Sequence, residues 1–185
     1  LIPTRKRTWN DFTAHLTKIR YRGGILDGYA SRLHYFSDWL GDNIDKGYLL
    51  DVSGELYGQH LTKEIHFMTR NPDRYPPLAD PAVRSQMADV EKRLTNGALF
   101  FIPLEQFKEE ERCIREGDVI GITTSVEGLD VCHAGLAVRK GRALHLLHAS
   151  ADAGKVIISA ETLADYLLDS KTRTGVMVGR IREEG

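Results

Sequence analysis

GDVIGITTSVEGLDVCHAGLAVRKGRALHLLHAS, residues 117–150, contains three short apolar segments with a glycine in each connection. The segments 119–123, 132–138 and 143–149 are bounded by turn residues and are typical of β-strands. Connections this short join neighbouring strands in antiparallel fashion. Two more strands are predicted over 155–159 and 175–181. The C-terminal half of the chain therefore predicts an antiparallel sheet.

Helical patterns dominate the chain before this sheet. Thr8 is a candidate N-cap for a helix with apolar residues at Trp9, Phe12, Leu16 and Ile19. Further helices are predicted over 31–46, 81–96, 104–114 and 160–169. Residues 51–80 have weak periodicity and many turn formers, which indicates an irregular arm with short strands. Helices followed by antiparallel strands predict an α+β fold, with one domain over 1–185 and the arm inside it.

Composition and charge exclude several classes of function. The chain has 185 residues, of which 42% are hydrophobic and two are cysteines, so its core needs no disulfide framework. Lys plus Arg number 25 against 26 for Asp plus Glu, a net charge of -1, which argues against nucleic acid as a partner. No apolar run approaches the roughly 18 residues of a membrane span. No cofactor is predicted, and the oligomeric state stays open.

Histidines in the predicted sheet are the candidate catalytic groups. Strand alternation places His133 on a face with Gly135 and Ala137, whose small size leaves room for a reacting group beside the imidazole. His145 and His148 have an odd separation and so lie on opposite faces of the next strand. Only one of them can share a face with His133. The register of the hairpin, which decides between them, is not fixed by the sequence.

Neither cysteine has the setting of a nucleophile. Cys132 is adjacent to His133 on a strand, so the two side chains should point to opposite faces. Cys113 ends a helix and follows three glutamates, which would raise the pKa of its thiol. A metal hydrolase is a weaker alternative, because Asp130, His133, His145 and His148 could supply three zinc ligands only if a bulge brought His145 and His148 to one face. No metal site is predicted.

Five stretches of the chain, in order, resemble a family of bacterial cell-wall enzymes. They are GYASRLHYFSDWLGDN (28–43), IHFMTRNPDRY (65–75), GDVIGITTSVEGLDVCHAGLAV (117–138), LHLLHAS (144–150) and TGVMVGRI (174–181). The chain resembles, from about Phe12 onward, the N-acetylmuramoyl-L-alanine amidase-like family of the NlpC-type papain-like cysteine peptidase superfamily.

The resemblance implies a papain-like fold and a cysteine hydrolase of peptidoglycan fragments. The enzyme would cleave the amide between the muramic-acid lactyl group and L-alanine, in the periplasm or outside the cell. By resemblance, His133 of the motif HAG (133–135) corresponds to the family's catalytic base. His148 of the motif HAS (148–150) corresponds to the residue that orients this base, and it is preferred to His145 for that role. Peptidoglycan or muropeptides would be the partner.

The resemblance also implies that the nucleophilic cysteine lies before Leu1. We therefore expect a chain that is truncated at its N-terminus and inactive alone, with an exposed apolar patch beside His133 where the preceding helix would dock. The alternative is a catalytically silent peptidoglycan-binding module.

The stretch SRLHYFSDW is expected to line the substrate cleft from the start of a helix. Arg32 is the candidate for a peptide carboxylate, and His34, Tyr35 and Trp39 for sugar or stem peptide. Asp130 either binds a substrate amine or stabilises its own turn. A helix cap with buried aromatic residues explains the stretch equally well.

Overall fold

The computed structural model describes residues 8–56, 58–98 and 100–182. Its α-helices are α1 (Trp9–Arg20), α2 (Phe36–Asp45), α3 (Val52–Glu55), α4 (Phe67–Arg70), α5 (Pro81–Thr95), α6 (Leu104–Glu110) and α7 (Leu163–Leu168). Its strands are β1 (Leu49–Asp51), β2 (Gln59–His60), β3 (Phe100–Pro103), β4 (Val119–Thr124), β5 (Val131–Lys140), β6 (Ala143–Ser150), β7 (Lys155–Ile158) and β8 (Arg173–Ile181). The predicted α+β class is confirmed.

The strands form one antiparallel sheet in the order β2-β3-β8-β4-β5-β6-β7, and β1 pairs with the far end of β8. β8 therefore has β1 and β3 on one edge and β4 on the other. The hairpin β5-β6 has the register Leu136↔Leu147, and its turn contains Gly141 in a left-handed conformation. This register determines which histidine of β6 joins His133.

One face of the sheet, here called the His133 face, carries the largest core. Ile120 and Ile122 of β4 and Leu144 and Leu146 of β6 are fully buried there, under α6 and α7. Each of these side chains contributes roughly 1.5–3 kcal/mol by leaving water. His133 and His148 lie at the end of this core, on the same face as Ile122 and Leu146.

The opposite face, here called the α2 face, is covered by α2 over β4 and β8. Phe36 lies on Gly121, where an added Cβ would come within 2.4 Å of its ring, and Leu40 lies on Gly179, where the corresponding distance is 2.7 Å. The two glycines thus let the helix approach the sheet closely. This packing fixes the N-terminal end of α2 beside β5, where the cleft is found.

The arm and α5 build a separate cluster around Met68, Leu78 and Met87. Within the arm, 3-10 turns over Pro72–Arg74 and Pro76–Ala79 follow the proline positions. The structure differs from the sequence prediction at one helix boundary and at one strand that was not predicted. The helix predicted over 31–46 begins only at Phe36, because Arg32 bridges to Tyr21 and extends the chain. The segment Phe100–Pro103, not predicted as a strand, is β3.

No described helix has the length and apolar character needed to cross a membrane.

Candidate functional site

Two histidines form a directly bonded pair at the end of the sheet. Nε2 of His133 lies 2.8 Å from Nδ1 of His148, and the two rings are nearly perpendicular, at 88° with centroids 4.9 Å apart. β5 supplies the first and β6 the second, so the pairing of these strands sets the geometry. Nδ1 of His133 makes no hydrogen bond to any described residue, which leaves it free to accept a proton from a reacting group.

The surroundings of His133 favour its neutral form. Burial lowers the pKa of the imidazole, and the nearby charges of His148 and Arg173 lower that pKa further. A neutral imidazole near pH 7 is the form that a general base requires.

Sequence reasoning missed Tyr166, which packs against this pair, and Arg173, which packs on Tyr166. The ring of Tyr166, on α7, lies 5.4 Å from the His148 ring and 6.2 Å from the His133 ring, centroid to centroid. The guanidinium of Arg173 lies 4.1 Å from the centroid of the Tyr166 ring. Tyr166 was visible in the sequence only as an apolar position of a helix. Arg173 had no sequence signal, because the approach of β8 to α7 depends on the tertiary fold.

A cleft of about 360 Å³ opens beside His133. Its walls come from the start of α2, the arm and the start of β5: Leu33, His34, Tyr35, Phe36, Trp39, Met68, Tyr75, Leu129, Asp130, Val131, Cys132, His133 and Ala134. The ring of Trp39 packs against that of Phe36, with centroids 5.6 Å apart. An aromatic wall facing a histidine pair suits a substrate that has both apolar and polar faces.

Asp130 is 1% exposed and both of its carboxylate oxygens accept hydrogen bonds. One oxygen accepts from the backbone N–H of Ser37 at 2.8 Å, and the other from that of Val131 at 2.7 Å. Burial nevertheless raises the pKa of this carboxyl group. Because Ser37 lies in the first turn of α2, Asp130 caps that helix across the cleft. The structure thus ties the helix to β5 through this side chain.

Tyr35 lines the cleft but is 2% exposed. Its hydroxyl donates to Oε1 of buried Glu91 at 2.7 Å and accepts from the backbone N–H of Met68 at 2.9 Å. Burial, followed by the bond to Glu91, raises the pKa of this phenol strongly. Glu91 is a residue that sequence reasoning missed, since it is 56 positions away from Tyr35.

The other residues of this stretch have different settings. His34 is half-buried, its Nε2 lies 3.1 Å from the carbonyl oxygen of Tyr29, and burial lowers the pKa of its imidazole. Arg32 is exposed and does not line the cleft. The structure therefore brings His34, Tyr35, Trp39 and Asp130 together with His133, and leaves Arg32 outside.

His145 lies on the α2 face, away from the pair. Its Nδ1 is 3.1 Å from the carbonyl oxygen of Ser159 and the side chain is 7% exposed. The expected opposite orientation of His145 and His148 is therefore confirmed. Over the described ranges, no three His, Cys, Asp or Glu side chains converge as metal ligands.

Neither of the two cysteines is bonded to an imidazole. The register between β4 and β5 shifts at Ile122, so Cys132 is the extra residue of a β-bulge and lines the cleft as an exposed side chain. Its thiol donates to the carbonyl oxygen of Ile122 at 3.5 Å. Cys113 is beside Arg180 at the other end of β4, since its carbonyl oxygen accepts from that guanidinium.

Apolar side chains are exposed on the α2 face of the sheet, beyond the helix. Leu136, Val156 and Ile158 of β5 and β7 are 39%, 66% and 41% exposed. A groove of about 470 Å³ between α1 and the sheet continues this surface, with Trp39 as one wall. The predicted patch beside His133 is therefore misplaced: the exposed apolar surface exists, but strand alternation puts it on the face opposite His133.

The lowered pKa values of His133 and His34 predict a pH-dependent stability. Both folded-state values lie below the ordinary 6.5, so the unfolded chain binds more protons as the pH falls through this value. We expect the free energy of unfolding to decrease from pH 7.5 to pH 5.5 in urea titrations. The decrease should be smaller in His133→Gln and in His34→Gln, and unchanged in the control His60→Gln on exposed β2. Equal pH dependence in all four proteins would contradict this.

The chain is similar to known proteins in sequence and in fold. The sequence matches the family described as AmiA-like, N-acetylmuramoyl-L-alanine amidase-like, over residues 3–176. An N-acetylmuramoyl-L-alanine amidase from Bacteroides uniformis is 36% identical, with a TM-score of 0.92 over 97% of this chain and 77% of that one. A protein from Bacteroides fragilis, named as a putative xylanase, is 37% identical, with a TM-score of 0.92 over 98% of this chain and 80% of that one.

A protein from Legionella pneumophila, 22% identical with a TM-score of 0.66 over 96% of this chain and 71% of its own, shares the fold. No curated protein matches the sequence. The match to the family covers nearly the whole chain, and the sequence motifs that resemble the family include both members of the histidine pair. The chain therefore belongs to the N-acetylmuramoyl-L-alanine amidase-like family.

Proposed function

We propose that the complete protein hydrolyses the amide between the lactyl group of N-acetylmuramic acid and L-alanine in peptidoglycan fragments, by a Cys-His-His mechanism. The single observation that carries this proposal is the 2.8 Å pair of His133 and His148 at the edge of an aromatic cleft. Family membership supplies the substrate class.

Nδ1 of His133 takes the proton of a thiol in this mechanism, and the sulfur attacks the carbonyl carbon of the lactyl group. The protonated imidazole then gives its proton to the amide nitrogen as the C–N bond breaks, which releases the amine of L-alanine. Water attacks the resulting thioester with His133 again as base, which releases the lactyl carboxylate as product and regenerates the thiol.

The thiol is proposed to come from a cysteine outside the 185 residues. Cys113 is at the other end of β4, and Cys132 is engaged with a backbone carbonyl while the neighbouring His133 is bonded to His148. Neither thiol is hydrogen-bonded to an imidazole, and neither lies at the N-terminus of a described helix, the settings that activate a nucleophilic cysteine.

The orienting role is proposed for His148. For Nδ1 of His133 to accept a proton, its Nε2 must carry hydrogen and donate to Nδ1 of His148. This bond fixes both the tautomer and the plane of the His133 ring. It also stabilises the imidazolium that forms after the thiol loses its proton.

Substrate contacts are proposed for the open part of the cleft. Trp39 and His34 are accessible there and offer surfaces for sugar or stem peptide. Arg32, exposed next to this wall, remains the candidate for a peptide carboxylate. Tyr35 and Asp130 are proposed to shape the cleft, because their polar atoms are already bonded within the protein.

The name of the Bacteroides fragilis protein raises glycoside hydrolysis as a competing chemistry. Most glycosidases require two carboxyl groups flanking the scissile bond. Among the described residues that line the cleft, Asp130 is the one carboxylate, and both of its oxygens bind backbone N–H groups. The histidine pair therefore favours amide hydrolysis.

Peptidoglycan as substrate implies that the complete protein acts outside the cytoplasm.

The test is an assay of the complete protein, with any residues that its gene encodes before Leu1. Incubation with muropeptides should give a stem peptide with a free L-alanine amine and a muramic acid with a free lactyl carboxylate, identified by mass spectrometry. Iodoacetamide should abolish the reaction and a chelator should leave it unchanged. Binding of muropeptides without turnover would instead support a silent binding module, and inhibition by the chelator a metal hydrolase.

A further inference from the structure

Tyr166 packs against the histidine pair and Arg173 packs on Tyr166, but the proposed mechanism gives neither residue a step. Tyr166 belongs to α7, a short helix whose N-cap Thr162 accepts a hydrogen bond from the backbone N–H of Asp165. The ring of Tyr166 is tilted by 31° to His133 and by 68° to His148. One aromatic side chain thus contacts both imidazoles in different orientations.

Arg173 holds this tyrosine in two ways. The guanidinium lies over the Tyr166 ring, and its Nη1 donates to the backbone carbonyl oxygen of the same residue. A planar guanidinium can stack on a ring and donate in its own plane at once, which the ammonium of lysine cannot do. Arg173 is also the first residue of β8, where it pairs with Thr124 of β4. The sheet therefore fixes α7 through this side chain.

We propose that Tyr166 and Arg173 form a positioning layer for the His133–His148 pair, which holds the two imidazoles in their crossed arrangement and keeps His133 as a proton acceptor. The tyrosine acts through shape, since its ring blocks rotation of both imidazoles. The arginine acts through its fixed charge, which disfavours a second positive charge on His133. The catalytic role of this layer rests on the proposed function, in which His133 is the base.

The electrostatic environment of His133 supports the role of the arginine. Around the pair, β6 contributes His148, α7 contributes Tyr166 and β8 contributes Arg173, while Cys132 precedes His133 on its own strand. The charges of Glu161 and Asp152 act on Tyr166, whose pKa they raise. Of these groups, His148 and Arg173 lower the pKa of His133, in addition to its burial. Arg173 is the one whose charge is independent of pH.

The experiment is a pH titration of the imidazole resonances of this protein by NMR, without any substrate. Arg173→Met should raise the titration midpoint of His133 by about 0.5 pH unit, as expected for loss of one charge several ångströms away in a partly solvated site. Arg173→Lys should keep the titration midpoint of His133, because the positive charge remains. It should change the nitrogen signals of the two imidazoles, because the guanidinium no longer stacks on the Tyr166 ring. Arg142→Met, an exposed arginine in the β5-β6 turn, is the matched control.

Tyr166 is tested by two variants in the same titration. Tyr166→Phe keeps the ring and should leave the tautomer signals of both histidines unchanged. Tyr166→Leu should give a mixture of tautomers at His133 and His148, because the two imidazole rings can then rotate. A folded Arg173→Met protein with an unshifted His133 midpoint would overturn the proposal.

Arg173→Lys decides the outcome if the methionine variant does not fold. Unchanged nitrogen signals in the lysine variant would then overturn the positioning role. These readouts need no activity, so a failure of the amidase assay would count against the proposed function alone.

Discussion

His133→Ala in the complete protein is expected to lower the rate of muropeptide cleavage by at least about 10²–10⁴-fold, the usual contribution of a general base. The imidazole of His133 has a free Nδ1 in the described cleft and, unlike that of His34, is hydrogen-bonded through its other nitrogen to a second histidine. In the proposed mechanism the same group returns the proton to the leaving amine, so its loss would affect both halves of the reaction. Cleavage is followed by mass spectrometry of the released peptide.

A matched control separates this chemical loss from a loss of folding. His60→Ala removes an exposed histidine of β2 that packs edge-on against Phe100, far from the pair in sheet order. We expect this variant to keep full activity. Binding of muropeptide to the His133 variant should also persist, since the cleft walls are intact. Undiminished cleavage by His133→Ala would exclude the proposed mechanism.

His148→Ala is expected to lower kcat by about 10²-fold or more with little change in KM, because a wrongly oriented or wrong-tautomer base is defective in chemistry and not in binding. The residue contacts His133 and Tyr166 but is not among the residues that line the cleft. His148→Gln should recover part of the activity, since an amide oxygen can accept the hydrogen of Nε2.

Two further variants make this test specific to the pair. His145→Gln, on the other face of the same strand, should leave kcat unchanged once the protein is folded. The double variant His133→Ala/His148→Ala should be no less active than His133→Ala, because residues that act as a unit are not additive. Additive losses would show that His148 acts on its own, for example by touching substrate.

Local patterning predicted the sheet well. Alternation and turn residues located β4 to β8, and the odd spacing of His145 and His148 predicted that only one could join His133. The register of the β5-β6 hairpin was not predictable, because it depends on how the turn around Gly141 closes and on which side chains fill the core. Register is the property that selects His148.

Contacts between residues far apart in the chain determine those features of the cleft that the sequence did not predict. The first turn of α2 is capped by Asp130, 93 positions away from Ser37, so no local cap marks the true start of the helix. The bulge at Cys132 was likewise invisible, and it places that side chain in the cleft. These features depend on tertiary contacts, which outweigh the local helical pattern of residues 31–46.

The position of β8 has a consequence for how the protein is made. β8 is central in the sheet, yet it is the last described strand in the chain and bonds to β1, β3 and β4. Until it leaves the ribosome, the strands on its two sides cannot be joined, and their edges stay unpaired. Folding is therefore expected to be completed only after synthesis of residues 173–181. A nascent chain stalled before that point should be captured by chaperones or degraded.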